Sequence, residues 1–236
     1  MEERKKIKIE IEKLVKELNE LNYNYYVLNE PLVGDQEFDG MLNRLVELEK
    51  AYPEFKLSNS PSERVGSDLN VEFTQRTHRT PMFSLSNTYS EEELSDFDER
   101  IKKDIEGTVE YVCELKFDGT AISLTYVEGV LTQALTRGDG VVGDDVTANV
   151  RTIRTIPLQL RGANIPSYIE VRGEIIMPHS SFDRINAERE DIGEVPFANP
   201  RNAAAGTLKS QQSSVVAHRG LDCFMYGLVV EGSELE

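Results

Sequence analysis

A chain of 236 residues with 39% apolar side chains, spread along its whole length, can bury a sizeable core, which excludes a disordered tail or linker. Its net charge of −16 excludes a surface that is basic throughout, so nucleic acid could be held only by a local patch or by further parts of a longer protein. No apolar run approaches the roughly 18 residues that span a bilayer, no signal segment opens the chain, and Cys113 and Cys223, far apart in apolar runs, read as reduced, buried side chains of a cytosolic protein with no zinc site.

Residues 7 to 28 carry Ile7, Ile11, Leu14, Leu18, Leu21 and Tyr25 at steps of three or four, which predicts an amphipathic helix ended by Asn29-Glu-Pro31. A second helix is predicted from Asp35, as N-cap, to just before Pro53, with Phe38, Met41, Leu42, Leu45 and Leu48 on one face. The two form a hairpin that needs a partner to cover its apolar stripe. Residues 56 to 80, rich in Ser, Asn, Pro, Arg and Thr, read as a loop with a domain boundary near residue 70, dividing the chain into 1–70 and 71–236. Ser90 and Glu93 predict a capping box ahead of a helix with the stripe Leu94, Phe97, Ile101 and Ile105, ended by Gly107.

From Val109 the period changes to two. Val109 to Leu115, Thr120 to Val127, Val130 to Thr136, Ile169 to Ile176 and Asp222 to Val230 read as strands, with Glu128-Gly129 as a hairpin turn and a helix from Pro178 to Glu190. The fold class is therefore α+β, a helical hairpin followed by a mainly antiparallel domain.

The chemistry concentrates in four segments. In Glu114-Leu-Lys116-Phe-Asp118-Gly119, alternation puts Glu114 and Lys116 on one face. Lys116 is either one member of a surface ion pair or a nucleophilic amine. As a nucleophile it must lose its proton, which flanking carboxylates oppose, so other cations or a metal would have to stand nearby. Thr136-Arg137-Gly138-Asp139-Gly140, with Gly143-Asp144-Asp145 behind it, permits a tight turn and close approach to a ligand, with Arg137 reaching phosphate or stacking on a purine; an ordinary loop with a solvated arginine reads equally from the residues. Glu170, Arg172 and Glu174 share one strand face, which suits a ligand or simply solvent. In Asn199-Pro200-Arg201-Asn202-Ala203-Ala204-Ala205-Gly206-Thr207-Leu208-Lys209, Asn-Pro opens a turn, the alanines can start a helix, and Arg201 and Lys209 serve phosphates or balance nearby carboxylates.

These segments, in this order and spacing, together with Pro81-Met82-Phe83-Ser84-Leu85-Ser86-Asn87, resemble bacterial NAD⁺-dependent DNA ligases over essentially the whole chain. Tyr25-Tyr26 followed by Asp35-Gln-Glu-Phe38-Asp39 resembles the nicotinamide-mononucleotide (NMN) binding element of that family. The resemblance implies a nucleotidyltransferase domain of the ATP-grasp-like ligase type, NAD⁺ as co-substrate, Mg²⁺, nicked double-stranded DNA as the target of the complete enzyme, and a cytoplasmic monomer without membrane contact. It implies Lys116 as the group adenylated by NAD⁺, Asp118 as the acid beside it, and Glu114, Arg137 and Glu174 as adenosine contacts. It further implies Ser84 and Leu85 as part of the dinucleotide site, Tyr25, Tyr26, Asp35, Phe38 and Asp39 as the NMN surface, and Arg201 and Lys209 as DNA-phosphate contacts. Phe38 stands where the family usually has tyrosine, Asn29 where aspartate is frequent, and Asp144 where glutamate is common; these departures are expected to modulate affinity. The family continues past the equivalent of Glu236 with further lysines that face the α-phosphate, an oligonucleotide-binding barrel, a four-cysteine zinc module, a helix-hairpin-helix domain and a BRCT domain. The chain is therefore expected to be a C-terminally incomplete piece that binds NAD⁺ or NMN without sealing nicks, with a hairpin that moves relative to the larger domain. Two competing expectations are an ATP-dependent nucleotidyltransferase, whose family lacks the hairpin, and a non-catalytic binding module.

Overall fold

The computed structural model describes residues 2–24, 32–62 and 73–230. Helices α1 (Glu2–Tyr23) and α2 (Asp35–Ala51) pack as the predicted hairpin around Ile11, Val15, Leu18, Leu45 and Leu48. Phe55 and Leu57, on and just after a single 3₁₀ turn (Pro53–Phe55), close this small core, so the hairpin's stripe is covered largely by its own chain. Asp35 is not the N-cap of α2. Gly34 holds that position, its carbonyl accepting from the N–H groups of Glu37 and Phe38 at 3.1 Å, and Asp35 is the first helical residue. The expected stop of α1 at Asn29-Glu-Pro31, and the boundary near residue 70, lie outside the described residues.

The loop expected over 56–80 ends earlier than its composition suggests. β1 (Gln75–Thr77) pairs antiparallel with β4 (Val142–Asp144), Arg76 opposite Gly143. α3 (Glu91–Asp104) starts as predicted, Ser90 Oγ accepting from Glu93 N–H at 3.1 Å. The Glu93 carboxylate returns to the N–H of Tyr89 rather than that of Ser90, at 2.6 Å. The apolar stripe of α3 is real, yet no residue of the helix is buried.

Val109 to Leu115 is not a strand. It forms no ladder among the described residues, Val112 is 87% and Leu115 82% exposed, and Cys113 is exposed rather than buried. Alternation predicts an extended chain, but a strand also needs a partner edge, and both edges of the neighbouring β2 (Thr120–Val127) are taken. They belong to β3 (Val130–Thr136) and β5 (Tyr168–Ile176); β6 (Asp222–Val230) completes an all-antiparallel sheet in the order β3-β2-β5-β6. Glu128 and Gly129 join β2 to β3, both with positive φ (49° and 76°), as a two-residue hairpin turn requires.

One sheet face carries the core. Ile122, Leu124 and Tyr126 of β2 meet Leu131 and Ala134 of β3, and α4 (Thr147–Val150), α6 (Pro200–Leu208) and α7 (Ser213–Arg219) cover them through Val150, Ala203, Ala204, Leu208 and Val216. The alanines of α6 let that helix lie close to the sheet. α5 (His179–Asp191) contributes Ile185. The hairpin touches this domain through Arg161, which donates to the Asn19 carbonyl at 3.1 Å, pairs with Glu20 at 3.1 Å and lies 4.1 Å over the Tyr23 ring.

Candidate active site

A cleft of roughly 670 Å³ opens at one end of the sheet. Its lining includes Glu114, Lys116, Arg137, Glu174, Arg201 and Lys209, drawn from four separate stretches of sequence, with Met82, Phe83, Leu85, Asn87, Phe117 and Tyr226 as its less polar walls.

Lys116 lies on the exposed, unladdered stretch before β2. Tyr111 Oη, donating to Asp98 of α3 at 2.7 Å, ties the start of this stretch, and the end beside the lysine is anchored by the ring of Phe117, stacked on Phe224 of β6 at 3.8 Å between centroids and 8° between planes. Glu174, near the end of β5, is half-buried beneath the lysine. Burial raises its carboxyl above the usual carboxylate range, opposed by the charge of Lys116, a hydrogen bond from the Gly119 N–H, and the charges of Arg201 and Arg137. Tyr226 is likewise pushed up by burial and by Glu174. Three cations therefore converge on one partly desolvated carboxylate, a cationic environment that composition alone concealed in a chain of net charge −16.

The loop carrying Arg137 is held from three sides. His78, buried behind β1, meets the Arg137 carbonyl through Nε2 at 3.1 Å. Asp139 Oδ1 accepts from the N–H groups of Val141 and Val142 at 2.8 Å each, which holds its carboxyl below the ordinary range. Gly138 turns the chain at φ 57°, where a Cβ would run into the Val142 carbonyl. The 81–87 wall is tied on by Arg172, which donates to the carbonyls of Thr80 (2.6 Å) and Pro81 (3.0 Å) while pairing at 2.8 Å with buried Glu170. Of the charged face predicted on β5, only Glu174 reaches the cleft; Glu170 and Arg172 form an internal tie, because their end of the strand lies under the 80–82 segment.

Arg201 and Lys209 both face the cleft, each held by a carboxylate: Arg201 by Asp118 at 3.1 Å, Lys209 by Asp144 at 2.7 Å. Such exposed pairs are worth about 0–1 kcal/mol, so an incoming phosphate could displace the carboxylate at little cost. Asp118 is thus turned toward Arg201 and is not part of the cleft lining. Ser84 is exposed beside the cleft without lining it, whereas Leu85 does line it. No described residue of the hairpin lines it. Phe38 packs into the hairpin core and Asp39 is exposed, while Tyr25, Tyr26 and the side chain of Asp35 lie outside the described residues. Sequence reasoning missed His78, Phe117, Phe224 and Tyr226. Phe117 lies inside the lysine segment and the other three carry no motif of their own; their roles arise from tertiary contacts, His78 with the Arg137 carbonyl, Phe224 with Phe117 and Tyr226 with the cleft.

A helical hairpin joined to an antiparallel domain, with a lysine beside a polar cleft at the sheet end, is the layout of an adenylation domain. Residues 70–236 match the NAD-dependent DNA ligase adenylation domain family, and residues 4–66 match the DNA ligase-like, N-terminal NAD⁺-binding domain family. The chain belongs to the NAD-dependent DNA ligase adenylation domain family. It is similar to proteins named DNA ligase from Cytophaga hutchinsonii (54% identical over 95% of this chain and 33% of that protein), Bacteroides fragilis (55%, over 94% and 34%) and Phocaeicola vulgatus (56%, over 93% and 33%). The chain spans about a third of the length of these relatives. No helix among the described residues is long and apolar enough to cross a membrane.

Proposed function

We propose that this chain carries out the nucleotide-reading and self-adenylating step of an NAD⁺-dependent DNA ligase. The observation that carries the proposal is the gathering of Lys116, Arg137, Glu174, Arg201 and Lys209 around one cleft from four separate sequence segments. In the reaction, the Lys116 Nζ attacks the α-phosphorus of NAD⁺. A P–N bond forms, the P–O bond to the NMN phosphate breaks, NMN leaves, and the proton of the amine passes to solvent. Phosphoryl transfer of this kind depends on an aligned nucleophile and charge stabilisation more than on acid–base chemistry. Arg137, Arg201 and Lys209 supply positive charge around the phosphates, Glu114 and Glu174 accept from the adenosine, and Met82, Phe83 and Leu85 with Tyr226 give the purine apolar surface, Ser84 standing beside them. Asp118 orients Arg201. The complete enzyme then passes AMP to the 5′-phosphate of nicked DNA and seals the nick, with Arg201 and Lys209 released to DNA phosphates.

The hairpin carries the NMN half in this reading, through Tyr25, Tyr26, Asp35, Phe38 and Asp39, and it must leave its seat on Arg161 to close over the cleft. Among the described residues no group of three or more His, Cys, Asp or Glu could hold a metal ion. Magnesium in such a site takes phosphate oxygens, water and at most one or two carboxylates. Glu114 and Glu174 are the carboxylates on the cleft lining, and a bound magnesium would supply charge neutralisation at the phosphates.

Intact-protein mass spectrometry after incubation with Mg²⁺ and either NAD⁺ or ATP, beside Lys116→Ala, tests the proposal. An AMP-sized gain with NAD⁺ alone, absent from the variant, is the expected result. A gain with ATP alone would move the chain to the ATP-dependent nucleotidyltransferases. No gain, with NMN still bound in a separate titration, would make this a recognition unit that lacks the chemistry.

A further inference from the structure

Asn149 sits in α4, fully buried, and its Nδ2 donates to two carbonyls, those of Leu208 and Ser210, each at 2.8 Å. These are the two neighbours of Lys209, whose ammonium faces the cleft and pairs with Asp144. Helix α6 runs out at this point. Lys209 is its C-cap, with φ −94° and ψ 17°, and the Ser210 N–H turns back to the Thr207 carbonyl at 2.9 Å. Carbonyls in the last turn of a helix lack intrahelical donors, and a helix end without them frays. Asn149 supplies donors to this end from a different element.

The other half of the same amide behaves differently. Asn149 Oδ1 is buried with no hydrogen-bond partner among the described residues. Buried polar atoms are nearly always paired. A residue whose donors are both used and whose acceptor is idle is placed for its donors. The segment around it is itself immobilised: Asp144 N–H donates to Thr136 Oγ1 at 3.0 Å, Val146 N–H to the Ala134 carbonyl at 2.9 Å, and Thr152 Oγ1 to the Asn149 carbonyl at 2.7 Å. One short stretch, 144–149, therefore grips Lys209 twice, by its ammonium through Asp144 and by its flanking backbone through Asn149.

We propose that Asn149 is a positioning residue for Lys209, fixing the backbone on both sides of it so that the ammonium stands at the cleft ready to exchange Asp144 for a phosphate oxygen. The proposal rests on the reading of the cleft as a nucleotide site. It predicts that Asn149 matters for the phosphate of a nucleotide and not for its nucleoside.

The test is calorimetric titration of the full chain with AMP and with adenosine, for the unaltered protein, Lys209→Met, Asn149→Ser and the double variant. Asn149→Ser removes the amide that bridges the two carbonyls and leaves a shorter hydroxyl in its place. Thr152→Val, which loosens α4 while leaving the Asn149 amide in place, controls for general softening, and a melting curve accompanies each protein. Lys209→Met is expected to weaken AMP about tenfold and Asn149→Ser about fivefold, as loss of a charge-assisted contact implies. Adenosine affinity stays unchanged, and Asn149→Ser has no further effect once Lys209 is gone. Equal losses for AMP and adenosine, full additivity of the two substitutions, or the same AMP loss in Thr152→Val would overturn the proposal and leave the nucleotide cleft standing. Failure of the unaltered chain to bind either AMP or adenosine would remove the nucleotide reading and this proposal with it.

Discussion

The ring of Phe117 lies flat against that of Phe224, 3.8 Å away and 8° from parallel, and this stack fixes the residue next to Lys116 to the edge strand β6. The stretch before it has no ladder among the described residues, so the aromatic pair does for Lys116 what strand hydrogen bonds do elsewhere. Phe224→Ala is expected to lower stability by about 1–2 kcal/mol, the worth of an aromatic pair plus the apolar surface it covers. It should also reduce the yield of lysine adenylate much more than that loss of stability explains. Urea unfolding and adduct mass, measured on the same sample, separate the two effects. An unchanged adduct yield would show that the lysine is positioned by something other than this stack.

Two glycines in neighbouring motifs should respond in opposite ways to the same change. A Cβ at Gly143 would overlap the Thr136 carbonyl and crowd His78, so Gly143→Ala must push β4 away from β3. A loss of roughly 2–4 kcal/mol is expected, with weaker nucleotide binding as the Arg137 loop shifts. Gly206 lies within α6, and nothing stands within 4 Å of a Cβ placed there. Gly206→Ala should therefore stabilise the protein by about 0.5–1 kcal/mol, since alanine is the better helix former. Thermal melts of the two variants in parallel decide the matter.

Glu174 links stability to pH. Its folded-state value is raised, chiefly by burial, so its contribution to stability is full at acid pH and is lost as pH rises through that raised value. Replacing it by glutamine removes the penalty for holding a partly desolvated charge at neutral pH. Glu174→Gln is expected to melt higher than the unaltered chain at pH 7, the difference fading toward pH 4, while nucleotide affinity falls. A Gln variant that melts lower at pH 7 would mean that Lys116, Arg137 and Arg201 outweigh burial at this carboxylate.

The two cysteines should differ in reactivity. Cys113 is exposed, whereas the Cys223 thiol is pushed up to about 11 by burial. Brief iodoacetamide treatment at pH 8, read by peptide mass, is expected to modify Cys113 in the folded protein and Cys223 only after denaturation. An unlabelled Cys113 in the folded protein would mean that the 109–117 stretch is covered in solution, and a labelled Cys223 that the buried site opens.

Much of the fold was legible because its signals are local. The 3.6-residue stripe from Ile7 to Leu18, the alternation from Thr120 to Thr136 around Glu128-Gly129, and Ser90 before Glu93 each specify an element within a few residues, and each element stands where the pattern put it. The segments of the candidate site were legible for a related reason, since Lys116, Arg137, Glu174, Arg201 and Lys209 lie in distinctive runs of small and charged residues. Local pattern could not say which charged residues would share a cleft. Glu170, Arg172 and Glu174 are equivalent by alternation, and only the crossing of the 80–82 segment over β5 turns two of them into a tie and leaves the third beneath Lys116. Nor could alternation say whether Val109 to Leu115 would be paired, because pairing depends on a free neighbouring edge. The sequence by itself determined the hairpin, the four strands of the main sheet and the residues able to do chemistry, but neither the short β1–β4 pair nor the unpaired state of Val109 to Leu115. Tertiary structure alone decided which of them meet, since those meetings join residues far apart in the chain, Phe117 with Phe224 and Asn149 with the backbone around Lys209, where no periodicity connects them.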